Sequence, residues 1–282
     1  MKIIENESLK QHTTVRIGGI ATHYYIPENI EDLIGLSTSL KGTKLYIISG
    51  GSNLLISDEH PFENVISMKE ACPELTLNAD KTITCGASVR IQTLINFAKE
   101  HELGGIEYLY SLPALFGGII RMNAGRGRES GCSISDYVVE VYCIEDGKQI
   151  TLSKEECQFA YRSSVFESGN KIITGAKIRL IPKTQQEIDD GIKERLALCK
   201  RIQDHSGTTF GTVFKTYNNR IMGFLQKHRS GKSGISWSAK RGNWLINDGN
   251  GSFKQAFGLI KRCKTVHRIF RKQAEEEVII WE

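Results

Sequence analysis

Lys44-Leu45-Tyr46-Ile47-Ile48-Ser49-Gly50-Gly51-Ser52-Asn53-Leu54-Leu55-Ile56 is the stretch on which the reading of this chain turns. Its first part is a run of aliphatic, aromatic and β-branched residues with the length of a buried strand. The run stops at two glycines, a serine and an asparagine, and then becomes apolar again. Gly50 and Gly51 can adopt positive φ and carry no Cβ, so another group can come close to their backbone. Two readings follow. The glycines form the turn of a hairpin, or their N–H groups form a concave nest for an anion, most often phosphate. Ser52 and Asn53 add side-chain donors to the second reading. A P-loop would need G-x-x-x-x-G-K-[ST], and a Rossmann fingerprint would need G-x-G-x-x-G opening a helix. Here the glycines are adjacent, and Leu54-Leu55-Ile56-Ser57-Asp58 has no helical period.

Working outward, Ala21 to Ile26 reads as a strand, and Asn29 to Ser39 as a helix capped by Asn29, with Ile30, Leu33, Ile34 and Leu36 on one face. A β-α-β unit therefore carries the glycine pair. Downstream, Thr82 to Ser88 is strand then turn. Arg90 to His101 is an amphipathic helix with Ile91, Leu94, Ile95 and Ala98 on its apolar face, closed by Leu103-Gly104-Gly105 as a glycine C-cap. A second cluster of small residues runs from Ser111 to Gly125, where backbone can pass close to something large and flat. Asp136–Ile144 and Gly147–Leu152 form a hairpin, and Lys171–Leu180 is a further strand. Thr184 to Gln203 is a charged helix leading into a last domain, where Ser252 to Phe270 is helical and Glu277 to Trp281 is a closing strand.

The 282 residues can bury sizeable cores and fill two or three domains, with the ordinary soluble balance of 40% hydrophobic and 24% charged residues. No apolar run approaches the ~20 residues of a membrane span. Met1 to Glu7 has no apolar signal core, so the expected location is the cytoplasm. Seven scattered cysteines without C-x-x-C predict reduced thiols, with no disulfide framework and no metal site. The formal charge is +5, with basic residues richest in the last third. A site for a phosphorylated small molecule explains this more simply than nucleic-acid binding, for which no recognition motif is present.

The order of these pieces resembles one family, the UDP-N-acetylenolpyruvoylglucosamine reductases (MurB). The matching stretches are Thr13 to Gly19, Ser49 to Leu55, Phe116-Gly117-Gly118 through Met122-Asn123-Ala124-Gly125, Tyr161-Arg162-x-Ser164-x-Phe166 and Ile173 to Ala176. They continue with Gly211 to Lys215, Leu245-Ile246-Asn247-x-Gly249 and Glu275-x-Glu277-Val278. The resemblance implies an α+β protein: an FAD-binding fold of two α/β subdomains, of the vanillyl-alcohol-oxidase (PCMH-like) type, with a C-terminal α+β substrate domain. The boundaries it suggests are 1–65 and 66–183 for the flavin and 184–282 for the substrate, the last strand returning to the active site. It implies NADPH as reductant and a nucleotide sugar as the substrate: the enolpyruvyl group of UDP-N-acetylglucosamine enolpyruvate is reduced to UDP-N-acetylmuramate for peptidoglycan. The expected state is a monomer without nucleic-acid or membrane partners. Two alternatives are a relative acting on a different nucleotide sugar or unsaturated acid, and a flavin-binding protein without turnover.

By the same resemblance Gly50, Gly51, Ser52 and Asn53 cradle the FAD pyrophosphate, and Ser111, Pro113, Gly117, Gly118, Asn123, Ala124, Gly125 and Ile173 line the cofactor. Arg162 matches the arginine that stabilises the enolate-like charge, and Glu277 the glutamate that assists protonation. Thr212 stands where the family has the proton-donating serine; its hydroxyl can do the same work, but the added methyl restricts χ1. Tyr161, Lys215, Lys227 and His228 are the expected substrate contacts. By residue type alone, Arg162 is also a structural ion-pair partner, Glu277 a solvated strand-end acid and Lys215 a solvated lysine. Leu112-Pro113-Ala114 replaces the usual Ile-Pro-Gly, Lys215-Thr216-Tyr217 the usual Lys-Asn-Pro, and Lys227-His228-Arg229-Ser230-Gly231 stands in place of Leu-Lys-Gly. The flavin half thus keeps the family pattern better than the substrate half.

Overall fold

The computed structural model describes residues 1–127, 131–227 and 234–282. In chain order the first elements are β1 (Lys2–Ser8), β2 (Ile20–Ile26), α1 (Ile30–Ser39), β3 (Leu45–Ile48), β4 (Leu54–Ile56), β5 (Phe62–Ser67), β6 (Leu75–Leu77), β7 (Ile83–Gly86) and α2 (Ile91–Glu100). Then come β8 (Leu103–Gly104), α3 (Phe116–Arg121), β9 (Gly125–Gly127), β10 (Cys132–Ser133), β11 (Val138–Glu145), β12 (Lys148–Ser153), β13 (Lys171–Ile178), β14 (Ile181–Pro182) and α4 (Gln185–Ile202). The last are β15 (Phe214–Thr216), α5 (Asn219–Lys227), β16 (Ile235–Trp237), β17 (Leu245–Asn247), α6 (Phe253–Ile269), β18 (Glu275–Glu276) and β19 (Ile279–Trp281). The chain divides into two compact units that do not follow sequence order. The first takes Met1–Glu5, His23–Gly50 and Glu63–Cys199; the second takes Asn6–Thr22, Gly51–Phe62 and Lys200–Glu282.

The first unit is built on an antiparallel sheet of order β12-β11-β13-β7-β6 and on the sheet β1-β2-β5-β3. In β13, Ile172 to Ala176 are buried without alternation, as expected of a central strand covered on both faces. α1 starts at Asn29, whose side chain accepts the Asp32 N–H at 2.9 Å, and its first turn carries Glu31 and Asp32 against the positive end of the dipole. α2 buries Ile91, Leu94, Ile95 and Ala98, the face its spacing predicts. Its end differs from expectation. His101 is the C-cap, and the left-handed position falls on Glu102 (φ 54°) rather than on a glycine, while Leu103-Gly104 form β8. The β-α-β expectation also changes in detail: β5 lies between β2 and β3, and it is β5 that runs parallel to β3.

The second unit has a separate core around Val15, Ile17, Leu55, Phe210, Phe214, Trp237, Phe253 and Ile260. α6 opens with a capping box, Ser252 accepting from the Gln255 N–H while the Gln255 side chain accepts from the Ser252 N–H. Phe253, Ala256, Ile260, Cys263 and His267 form its buried stripe. β4 pairs in parallel with β19, Leu54 opposite Ile279 and Ile56 opposite Trp281. β3 and β4 are therefore not partners of one another, and the hairpin reading of Gly50-Gly51 is excluded. All seven cysteines are free, and burial pushes the Cys72, Cys157 and Cys263 thiols up to about 12, which keeps them protonated and unreactive.

Asp204, 7% exposed, is a buried carboxylate in the second unit. It accepts from Ser238 Oγ at 2.6 Å, Ser206 Oγ at 2.7 Å and Ser206 N–H at 3.1 Å. These donors, the Ser238 hydroxyl first, hold its pKa at about 2. A carboxylate with a folded-state pKa below its unfolded value contributes stability that is complete above the unfolded value and lost as pH falls through the folded one. Asp204→Asn is expected to lower stability at neutral pH by about 1–3 kcal/mol and to flatten the acid limb between pH ~4 and ~2. Urea unfolding at a series of pH values checks this; an unchanged acid limb would remove Asp204 as its origin.

Candidate active site

In the first unit the small-residue stretch 111–125 folds around α3, an element its sequence did not announce. Backbone bonds fix its entry: Phe116 N–H donates to Val89 O at 2.8 Å, Gly117 N–H to Ala87 O at 3.0 Å, and Ile91 N–H to Ala114 O at 3.2 Å. Phe116 itself is fully buried and anchors the turn. This lays Pro113-Ala114 and Gly118 against Ser49-Gly50. A Cβ on Gly50 would stand 2.9 Å from Pro113 O, and one on Gly118 would stand 3.3 Å from Ser49 Oγ. Ser49 Oγ is buried and has no hydrogen-bond partner in the protein. Leaving a hydroxyl in that state costs about 1–3 kcal/mol, so an outside acceptor or donor is the natural completion of the cradle. A flat cofactor with an anionic linker fits these residues: close-packed glycine backbone on two sides and one orphaned hydroxyl.

The loop 160–164 is stitched to the far end of this stretch. Arg162, in the left-handed region at φ 54°, donates from Nη1 to Asn123 O at 3.2 Å and from Nη2 to Gly125 O at 2.7 Å. Its guanidinium lies 5.1 Å from the Tyr161 ring centroid. Arg162 shares this left-handed backbone with other described non-glycine residues, among them Arg16, Glu102 and Asn123, so the conformation alone does not mark a function. Asn123 is buried, its Nδ2 donating to Ala160 O at 2.9 Å and its Oδ1 accepting from Ser135 N–H at 3.2 Å. Ser164 Oγ donates to Arg121 O at 2.7 Å. Ala124 and Ile173 are buried beside them, and burial lowers the Arg121 guanidinium despite the charge of Glu167. Ser111 is the exception among the expected cofactor residues: its hydroxyl accepts from Arg195 Nε on α4 at 2.9 Å.

In the second unit Gly51 has φ 62°, and a Cβ there would overlap the His12 carbonyl. Its own carbonyl accepts from Thr14 N–H at 3.1 Å. The Thr13–Gly19 motif thus has a structural meaning. Thr13 Oγ1 donates to Ile17 O at 2.9 Å, Thr14 Oγ1 to Thr209 O at 2.7 Å, and Val15 O accepts from Asn247 Nδ2 at 2.8 Å. Asn53, 224 residues before Glu277, donates from Nδ2 to its carbonyl at 2.9 Å, while Asn53 O accepts from Ile279 N–H at 3.0 Å. Glu277 N–H in turn donates to Val213 O at 2.8 Å. The structure therefore brings Asn53, Thr212-Val213 and Glu277 together through backbone. Ser52 and Thr212 are half-buried.

Lys215 pairs with Glu275 at 3.0 Å across β15 and β18, so its charge is partly engaged. Lys227 is exposed at the end of α5, and His228 lies outside the described residues. Sequence reading missed Asn243, which bonds to both Val213 and Phe214. Its signal was weak: a lone asparagine before the matched Leu245-Ile246-Asn247. Among the described residues no cluster of His, Cys, Asp and Glu could hold a metal ion, and no helix is long and apolar enough to cross a membrane.

Known proteins resemble this chain over nearly its whole length. Residues 21–153 match the family described as FAD binding domain. The UDP-N-acetylenolpyruvoylglucosamine reductase of Caldanaerobacter subterraneus subsp. tengcongensis is 30% identical over 273 residues, 94% of this chain and 88% of the relative. That of Bacillus subtilis is 28% identical over 275 residues, 95% of this chain and 89% of the relative. The crystal structure of UDP-N-acetylenolpyruvylglucosamine reductase (MurB) from Thermus caldophilus superposes with a TM-score of 0.83 at 26% identity, covering 100% of both chains.

Proposed function

The chain belongs to the UDP-N-acetylenolpyruvoylglucosamine reductase family, and from that premise we propose that it is an FAD-dependent enzyme using NADPH to reduce UDP-N-acetylglucosamine enolpyruvate to UDP-N-acetylmuramate. The observation that carries this reading is the near-full-length likeness to the reductases, 30% identical over 273 residues; within the chain, Glu277 N–H donates to Val213 O at 2.8 Å, which ties the Glu277 backbone to the residue after Thr212. Bound FAD would supply hydride transfer from NADPH to the enolpyruvyl double bond. Gly50, Gly51, Ser52 and Asn53 would hold its pyrophosphate; Pro113, Gly117, Gly118, Asn123, Ala124, Gly125 and Ile173 would line it, with Ser111 supporting the lining loop.

The polar residues serve the charge that hydride addition creates. Addition to an α,β-unsaturated carboxylate makes an enolate, which needs a cation at its oxygens and a proton at its carbon. Arg162 supplies the cation, its guanidinium fixed in place by the Asn123 and Gly125 carbonyls. Thr212 Oγ1 gives the proton. Glu277 assists by holding the protonation geometry and stabilising the enolate. Tyr161, Lys215, Lys227 and His228 contact the nucleotide sugar. In functional terms residues 1–65 and 66–183 serve the flavin and 184–282 the substrate. The enzyme works as a monomer in the cytoplasm, where both UDP-sugar and NADPH are found.

The test is anaerobic reduction of the yellow protein by NADPH, followed by addition of UDP-N-acetylglucosamine enolpyruvate. Rapid flavin reoxidation is expected. Reduction without reoxidation would redirect the assignment to another unsaturated acid, and a failure of NADPH to bleach the flavin would leave a binding protein without turnover. In the same assay Arg162→Ala is expected to lose on the order of 10²-fold or more in reoxidation with part of its FAD retained, as for loss of a charge-stabilising donor. Full activity in that variant would remove Arg162 from the chemistry.

A further inference from the structure

Asn243 is an asparagine buried to 7% exposure, just ahead of β17, and it makes three hydrogen bonds to two consecutive residues. Its main-chain carbonyl accepts from Val213 N–H at 2.9 Å, its Oδ1 accepts from Phe214 N–H at 3.0 Å, and its Nδ2 donates to Phe214 O at 2.7 Å. The next residue, Trp244, forms an isolated antiparallel bridge with Thr212. The amide side chain thus does for Phe214 what a neighbouring strand would do, at the point where β15 is only beginning. Val213 O, held between these bonds, is the acceptor for Glu277 N–H. One buried residue therefore sets the backbone that carries both Thr212 and the attachment of Glu277, its main chain holding Val213 and its side chain Phe214.

We propose that Asn243 is a positioning residue for proton donation by Thr212; this rests on the reading of Thr212 as the donor. The physical reason is the β-branch. A serine can search three χ1 wells to reach the substrate, whereas threonine is restricted, so the direction of its hydroxyl is fixed largely by its backbone. A chain that uses threonine here gains more from a rigid clamp on residues 212–214 than one that uses serine.

Asn243→Asp is the informative variant. It keeps size and the Oδ1 acceptor but sets a carboxylate oxygen against Phe214 O. At pH 8 the enolpyruvate-dependent reoxidation is expected to fall on the order of 10–100-fold, the effect of a small misplacement of a reacting group, with FAD content and NADPH reduction unchanged. A buried carboxyl facing a carbonyl has a raised pKa, so acidification protonates it, restores the donor and recovers the rate relative to wild type. In a Thr212→Ala background the same substitution is expected to cost less than about twofold, because coupled residues are not additive. An equal loss in both backgrounds, or a parallel loss of NADPH reduction, would make Asn243 merely structural and overturn the proposal. Amide exchange at Val213 and Phe214 gives a reading independent of the acceptor. At Phe214 it is expected to accelerate in Asn243→Ala, which removes the Oδ1 acceptor, and unchanged protection there overturns the clamp. A wild type that fails to reduce the UDP-sugar overturns the assigned reaction instead.

Discussion

Thr212→Ala is expected to slow reoxidation of the reduced enzyme by the enolpyruvyl substrate on the order of 10²–10⁴-fold, the range of a lost general acid. Reduction by NADPH is expected to stay near wild type, because that half of the cycle needs no proton from the protein at the substrate carbon. Thr212 is half-buried and its neighbours Val213 and Phe214 are fixed by Asn243. Removing the hydroxyl therefore leaves the backbone in place and isolates the chemistry. Thr212→Ser, which restores the family residue without the methyl, is expected to retain activity. Stopped-flow measurement of the two half-reactions separates the effects, and normal reoxidation in Thr212→Ala would show that the proton comes from elsewhere.

Gly51→Val carries the largest expected effect on folding. Gly51 sits at φ 62°, and a Cβ there would overlap the His12 carbonyl and stand 3.1 Å from Thr13 Cα. Left-handed backbone and overpacking against main chain together cost roughly 2–5 kcal/mol. The stabilisation that bound FAD adds by mass action is lost with the displaced loop. The variant is expected to be colourless after purification and to unfold at markedly lower denaturant. Gly258→Ala gives the opposite sign: this exposed glycine lies inside α6 with nothing within 4 Å of an added Cβ. There the substitution is expected to stabilise by about 0.5–1 kcal/mol. If Gly51→Val stays yellow and unfolds where the wild type does, the turn does not have the conformation described.

Elements whose signals are local were legible. The Asn29 cap, the Ile91-Leu94-Ile95-Ala98 face and the Ser252 start of α6 all depend on residues within one or two turns of each other, and each recurs in the structure. α3 and α5 were missed because Phe116-Gly117-Gly118 is a poor helix former and Asn219–Lys227 is short; both owe their form to tertiary packing, Phe116 and Met222 being buried. The glycine C-cap failed at Glu102 because a left-handed residue needs only a tolerant backbone and partners, and Glu102 O has one in Lys183 N–H. The candidate site residues rest on ordered motifs, while Asn243 carried no motif of its own.

By itself the amino-acid sequence determined the helices and strands whose signals are local, where close backbone approach is allowed, and through the order of its motifs which family the chain resembles. It could not say what Gly50-Gly51 joins. Only the tertiary structure decided that β3 pairs with β5 and β4 with β19, with Asn53 bonded to Glu277 at the opposite end of the chain. The reason is physical. A helix or cap is specified by neighbours a few residues away, whereas strand partners and a side-chain clamp are chosen by the closure of long loops, whose outcome depends on every core contact made at once.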